Sequence, residues 1–190
     1  SMFRDDPELV VALVTGAGER IFSAGWDLKA VASGDEPDMV ENPEPALFLP
    51  EMFDLNKPLV AVINGYAVGG GFELALGCDL MIAADHAQFF LPEMERGFLP
   101  DGGVIQMLFR RIPYYVYMDM LLTGARMSAQ DAMKWGLVRE VVPLAELMPR
   151  ARAVVDLIAE GAPLAPQALQ GVARASQPPS LPESLALTPA

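Results

Sequence analysis

The stretch LVAVINGYAVGGGFELALGCDLMIAA, residues 59–84, decides the fold of this chain. Its first apolar run, Leu59–Ile63, predicts a buried strand that ends at the turn-forming pair Asn64-Gly65. Helix-forming residues follow a glycine run over Gly70–Gly77, and a second apolar run, Leu80–Ala84, predicts the next strand. Strands separated by a helix indicate an α/β fold.

The alternation of short apolar runs with helical stretches continues on both sides of this stretch. Further strands are predicted over Leu9–Thr15, Gln88–Leu91 and Val138–Val142, and helices over Leu144 to about Ala159 and over Pro163–Ala175, with Pro166 in the first turn. The acidic, proline-broken segment Ser33–Pro45 predicts an exposed loop, and Gln177–Ala190 predicts a loose tail. The chain therefore divides into a core over 1–143, a C-terminal helical part over 144–176 and a proline-rich tail over 177–190.

Length and composition restrict the class of protein. The 190 residues suffice for one domain, and a 52% hydrophobic content is ordinary for a globular chain. The net charge of −12 argues against a nucleic-acid partner or an anionic membrane surface. One cysteine, Cys78, and one histidine, His86, exclude a disulfide within the chain and a Cys/His zinc site, so no metal is expected. Because the opening residues lack a signal-peptide pattern, we expect a cytoplasmic protein.

Several common chemistries do not fit the residues. Gly16-Ala17-Gly18 follows a strand, as in dinucleotide-binding proteins, but no third glycine opens a helix after it, which favours a tight turn. A serine hydrolase would need a G-x-S-x-G elbow, and its only triad base would be His86, which the pattern places in an exposed turn. No lysine follows Gly69–Gly71 as in a phosphate-binding loop.

The glycine run and two glutamates form the remaining candidate site. Gly69–Gly71 allows backbone to approach a ligand closely, and the N–H groups of a helix beginning there suit a developing oxyanion. Glu73 lies on the same helix, and Glu93 follows a short strand and Pro92. Two carboxylates beside an oxyanion site can divide acid and base roles. Taken alone, the glycines are explained as well by close packing, and the glutamates by surface positions. Their joint occurrence favours a site.

The chain resembles the crotonase (enoyl-CoA hydratase/isomerase) superfamily from about Leu9 to about Arg152. The resemblance is carried by SAGWDLK at 23–29, NGYAVGGGFELAL at 64–76, CDLMIAA at 78–84 and FFLPE at 89–93, in the family's order and spacing. Within the family, the same blocks and the run from Trp135-Gly136 to Met148 are similar to the carnitinyl-CoA dehydratase branch.

The resemblance implies a crotonase-like spiral of ββα units with C-terminal helices, N- and C-terminally shortened. It implies an acyl-CoA hydratase or dehydratase that adds or eliminates water in a syn sense. The backbone N–H groups of Trp26 and Gly70 would form the oxyanion hole, and Glu73 and Glu93 would be catalytic. The expected substrate or coenzyme A contacts are Ala24, Asp27, Leu28, Lys29 and Gly69. No cofactor is implied, since coenzyme A is part of the substrate, and the expected assembly is a homotrimer or a dimer of trimers.

Three departures from the family pattern support an alternative. The chain begins later than the family's first strand pair, the usual C-terminal helices are replaced by Gln177–Ala190, and the loop at Pro100–Val104 is one residue shorter. The acidic net charge also disfavours coenzyme A unless basic residues cluster locally. The alternative is a truncated, non-catalytic acyl-CoA-binding or assembly subunit.

Overall fold

The computed structural model describes residues 2–25, 52, 55–97, 99–100, 102–161 and 165–175. The predicted loop Ser33–Pro45 and the predicted tail Gln177–Ala190 lie outside these ranges. The described helices are α1 (Met2–Asp5), α2 (Gly70–Gly77), α3 (Val104–Leu108), α4 (Tyr114–Thr123), α5 (Ala129–Lys134), α6 (Leu144–Ala159) and α7 (Ala165–Ala175). A 3₁₀ turn covers Met94–Arg96.

The described strands form two four-stranded sheets. The first sheet is entirely parallel, in the order β1 (Ala12–Thr15), β3 (Leu59–Ile63), β5 (Leu80–Ala84), β8 (Glu140–Val142). The second has the order β2 (Ile21–Ser23), β4 (Tyr66–Val68), β6 (Gln88–Phe90), β7 (Met127–Ser128), and only β7 is antiparallel to its neighbour. From β1 to β6 the chain therefore passes three times from the first sheet to the second.

Two apolar cores bury the central strands of the first sheet, β3 and β5, on both faces. Phe72 of α2 packs on Phe89 of β6 with ring centroids 5.2 Å apart, in the core that the two sheets share. On the opposite face of β3 and β5, Val60 and Ile82 pack against Leu147 of α6. A strand covered on both faces needs an uninterrupted apolar run, and this is what LVAVI and LMIAA provide.

The α/β prediction is confirmed, and the long elements agree with the sequence pattern. Helices α2 and α6 and strands β3 and β5 have the predicted bounds. Helix α7 is described over Ala165–Ala175, with Pro166 in its first turn, and the first two residues of the predicted helix lie outside the described residues. Strands β1, β6 and β8 are shorter than predicted, since β1 begins at Ala12, β6 ends at Phe90 and β8 begins at Glu140.

Most of the short elements leave no recognisable pattern in the sequence. Strands β2, β4 and β7 have two or three residues each, and the sequence pattern does not predict these strands or helices α4 and α5. Two or three residues are too few to show an alternating pattern, so only pairing with neighbouring strands fixes these segments as β-structure. The division of the chain at 143 and 176 stays a prediction.

Candidate active site

The N-terminal end of α2 is the centre of the candidate site. Gly69, which precedes the helix, has φ 53° and ψ −126°, a conformation that favours glycine. Its N–H donates to the Phe90 carbonyl at 3.1 Å, and its own carbonyl accepts from the N–H groups of Phe72 at 2.8 Å and Glu73 at 3.1 Å. Within the described ranges, no acceptor is recorded for the Gly70 N–H. This donor lies at the positive end of the helix dipole.

The chain that leaves β2 lies against the start of α2. A Cβ atom added to Gly25 would stand 2.8 Å from the backbone nitrogen of Gly70. The Gly25 N–H donates to the Ser23 hydroxyl at 3.3 Å, which turns the backbone at this point. Ala24 is exposed beside it. The predicted contact residues Trp26, Asp27, Leu28 and Lys29 lie outside the described residues.

Asn64 holds the loop that leads into β2, a role that the sequence analysis did not assign to it. Its side-chain oxygen accepts from the Gly16 N–H at 3.1 Å. Its amide nitrogen donates to the carbonyls of Gly16, Gly18 and Ile21 at 3.2, 2.8 and 3.3 Å. The residue is only 4% exposed. A buried asparagine with this many partners fixes the loop, and through β2 it fixes the approach of Gly25 to Gly70.

Glu73 is buried against the segment that opens α3. The residue is 6% exposed, and its Oε1 accepts from the Val104 N–H at 3.1 Å. A Cβ atom at Gly102 would collide with Glu73 Oε2, so the glycine provides the space for the carboxylate. The sequence analysis missed both Gly102 and the Val104 N–H as site groups. The sequence feature that could have indicated these groups is the glycine pair Gly102-Gly103, directly before the start of α3.

Glu93 reaches the same place from the second sheet. It follows β6 and Pro92, immediately before the 3₁₀ turn, and it is 7% exposed. A Cβ atom at Gly69 would collide with Glu93 Oε1. Gly69 therefore joins the two glutamates, because its carbonyl accepts from Glu73 N–H while its α-carbon lies against the Glu93 carboxylate. The alternative that both glutamates are surface residues is wrong.

His86 and Cys78 are the other candidate residues. His86 lies apart from Glu73 and Glu93, and the Cys78 thiol is unreactive. His86 stands in the exposed turn between β5 and β6, as predicted, with Nε2 3.0 Å from the Glu19 carbonyl. Burial, with a smaller effect from the charge of Asp79, raises the pKa of the Cys78 thiol to about 12. Such a thiol is protonated near neutral pH and is a poor nucleophile.

Two structural findings bear on metals and membranes. Among the described side chains, no three His, Cys, Asp or Glu residues are grouped so that they could hold a metal ion. In the same part of the chain, no helix has both the length and the apolar character needed to cross a bilayer.

Comparison with curated proteins shows extensive sequence similarity. A family model described as enoyl-CoA hydratase/isomerase matches residues 1–188. A carnitinyl-CoA dehydratase of Proteus mirabilis is 51% identical over 185 residues, which are 97% of this chain and 71% of that protein. A carnitinyl-CoA dehydratase of Salmonella arizonae is 50% identical over 181 residues, covering 95% and 69% of the two chains.

Solved structures agree with the sequence comparison. The crystal structure of a carnitinyl-CoA hydratase from Mycobacterium avium superposes with a TM-score of 0.84 at 38% identity, over 96% of this chain and 70% of that chain. An enoyl-CoA hydratase from Bacillus anthracis gives a TM-score of 0.83 at 35% identity, over 90% and 66% of the two chains. These matches confirm the fold that the resemblance implied. The chain spans about two thirds of the length of these structures.

Proposed function

Because this chain belongs to the enoyl-CoA hydratase/isomerase family, we propose that it adds water to, or eliminates water from, an acyl-CoA thioester through Glu73 and Glu93. One observation carries the proposal. Both residues are buried, at 6% and 7% exposure, and both contact Gly69 directly before the N-terminus of α2, Glu73 through its backbone N–H and Glu93 through its carboxylate. Two carboxyl groups held out of water beside free helix N–H donors suit acid–base work at a polarised carbonyl.

Hydration of an enoyl thioester needs two proton movements. One carboxylate takes a proton from water while the water oxygen bonds to the β-carbon. The electron pair of the double bond moves toward the thioester oxygen, and the second carboxyl group delivers its proton to the α-carbon. Dehydration is the same sequence in reverse. The proposed reaction therefore requires the two groups to begin in different protonation states.

The negative charge that develops on the thioester oxygen needs hydrogen-bond donors. The Gly70 N–H at the positive end of α2 is the first proposed donor, and the Trp26 N–H is the second. The close approach of Gly25 to the Gly70 nitrogen supports this assignment, because Trp26 is the next residue along the chain. We also propose that Ala24, Asp27, Leu28, Lys29 and Gly69 contact the substrate or its coenzyme A.

The family indicates an acyl-CoA thioester as the substrate, and the similar proteins indicate the branch of the family. Proteins named carnitinyl-CoA dehydratase are 51% and 50% identical to this chain over the aligned residues, which supports a carnitine-derived ester as the preferred substrate. The proposed reaction moves only protons and water, so it requires neither a metal nor a cofactor beyond the coenzyme A of the substrate. A trimer or dimer of trimers and a cytoplasmic location stay predictions, and light scattering after size exclusion measures the former.

The test compares turnover of crotonyl-CoA and crotonobetainyl-CoA by loss of the conjugated thioester absorbance. Glu73→Gln and Glu93→Gln are each expected to lose about 10²–10⁴ in kcat, the usual contribution of a general acid or base. The matched control is Glu95→Gln, which changes the same residue type two positions from Glu93 at an exposed site. This variant is expected to retain wild-type turnover.

The outcomes separate the proposal from its alternative. Turnover that is lost in both glutamine variants and retained in the control supports a hydratase, and the preferred ester identifies the branch. Wild-type kcat in either Glu73→Gln or Glu93→Gln would refute the role of that residue. Binding of the ester by calorimetry without any turnover would instead support the non-catalytic acyl-CoA-binding subunit.

A further inference from the structure

The C-terminal end of α2 is stabilised from another part of the chain. The last turn of this helix contains no basic residue that could interact with its negative end. Arg111 supplies the missing charge, since its Nη1 donates to the Leu76 carbonyl at 2.6 Å. A charged donor on one of the last carbonyls satisfies an acceptor that the helix itself leaves open.

The segment from Gly102 to Arg111 therefore holds α2 near both of its ends. At the N-terminal end, the Val104 N–H donates to the Glu73 carboxylate at 3.1 Å. At the C-terminal end, the Arg111 guanidinium holds the Leu76 carbonyl. Between the two contacts, Val104 and Leu108 are fully buried in the core that includes Phe72. Because this stretch is packed in the core, a shift of Arg111 also shifts α2.

The surroundings of Arg111 keep its charged group in this position. Burial lowers the pKa of the Arg111 guanidinium, and the negative charge of Asp79, two residues beyond the end of α2, acts in the opposite sense. Asp79 is itself fixed, because its Oδ2 accepts from the Leu59 N–H at 2.8 Å and from the Gln170 side chain at 2.7 Å. Arg111 as a whole residue is nevertheless exposed, and only its charged end is buried.

We propose that Arg111 is a positioning residue for the reaction: it fixes the C-terminal end of α2 and thereby the placement of Gly70 N–H and Glu73 at the other end. The inference rests on the proposed function of these two groups. An eight-residue helix moves as a unit, so loosening one end displaces the groups at the other. Displacement by a fraction of an ångström affects the transition state, which depends on alignment, more than ground-state binding of the substrate.

The experiment compares Arg111→Met, which removes charge and donor, with Arg111→Lys, which retains both. For Arg111→Met we expect kcat to fall about tenfold while KM changes less than about twofold. Arg111→Lys is expected to recover at least half of the lost kcat. The control is Arg152→Met on α6, an exposed position where the same charge is removed. Hydrogen exchange of the backbone amides over 70–77 provides a readout that does not depend on turnover.

The expected result is faster exchange in α2 for Arg111→Met only, together with the selective loss of kcat. Wild-type kcat in Arg111→Met, equal losses in the methionine and lysine variants, or unchanged exchange over 70–77 would each overturn the proposal. If the wild-type chain shows no turnover, the proposed function fails, and the exchange measurement alone then decides whether Arg111 fixes α2.

Discussion

Replacement of Gly69 by alanine tests the geometry of the site most directly. Gly69 has φ 53° and ψ −126°, a backbone conformation that is costly for an L-amino acid. Its α-carbon also lies against the Glu93 carboxylate, so the new methyl group would collide with Glu93 Oε1. The carboxylate is the far end of a flexible side chain and will move aside. The variant should therefore fold, with the Glu93 carboxylate, which we propose to be catalytic, displaced.

The backbone strain lowers the free energy of unfolding, and the displaced carboxylate lowers kcat. A strained backbone conformation of this kind costs about 1–3 kcal/mol of folding free energy. For a chain of this length, that loss lowers the melting temperature by roughly 2–4 °C per kcal/mol. Displacement of the Glu93 carboxylate by about 1 Å should reduce kcat by about 10²-fold with little change in KM, because alignment governs the chemical step.

Gly136→Ala is the matched control. Gly136 also has a positive φ, of 81°, but an added Cβ atom there meets no other atom within 4 Å. The control should lose stability through backbone strain and keep wild-type kcat. The assay is steady-state turnover of an enoyl-CoA ester beside a thermal melt for each variant. A Gly69→Ala variant whose kcat is within twofold of the control would show that the Glu93 carboxylate does not act from beside Gly69.

The remaining predictions concern stability. Asn64→Ala leaves the Gly16 N–H and the carbonyls of Gly18 and Ile21 without their amide partner. At about 0.5–1.5 kcal/mol for each part-buried hydrogen bond lost, we expect a loss of at least about 1.5 kcal/mol in urea unfolding, and a loss below 0.5 kcal/mol would contradict this. Burial raises the pKa of the Cys78 thiol from 9.0 to about 12, so its contribution to stability is complete below pH 9 and is lost as the pH rises toward 12. Cys78→Ala should flatten that alkaline decline, which amounts to about 1 kcal/mol by pH 10, and an unchanged slope would refute the assignment.

The long elements could be predicted from the sequence, and the sequence also supplied the candidate glutamates. The runs at Leu59–Ile63 and Leu80–Ala84 are buried on both faces, which requires an uninterrupted apolar pattern that is visible in one dimension. The motif blocks indicate both Glu73 and Glu93 as candidates, and in the structure both residues are buried and contact Gly69. Their assigned roles await the turnover measurement.

Only the tertiary structure decided which groups support these residues. Asn64 holds a loop 48 residues away at Gly16, and Arg111 reaches a carbonyl 35 residues away at Leu76. Gly102 is opposite the Glu73 carboxylate because α3 packs beside α2, a contact that no local pattern encodes. The sequence by itself determined the fold class and the candidate carboxylates, since local hydrophobic patterning and short motifs carry both. The hydrogen bonds that fix the geometry join distant segments, and they exist only once the two sheets and α2 have packed together.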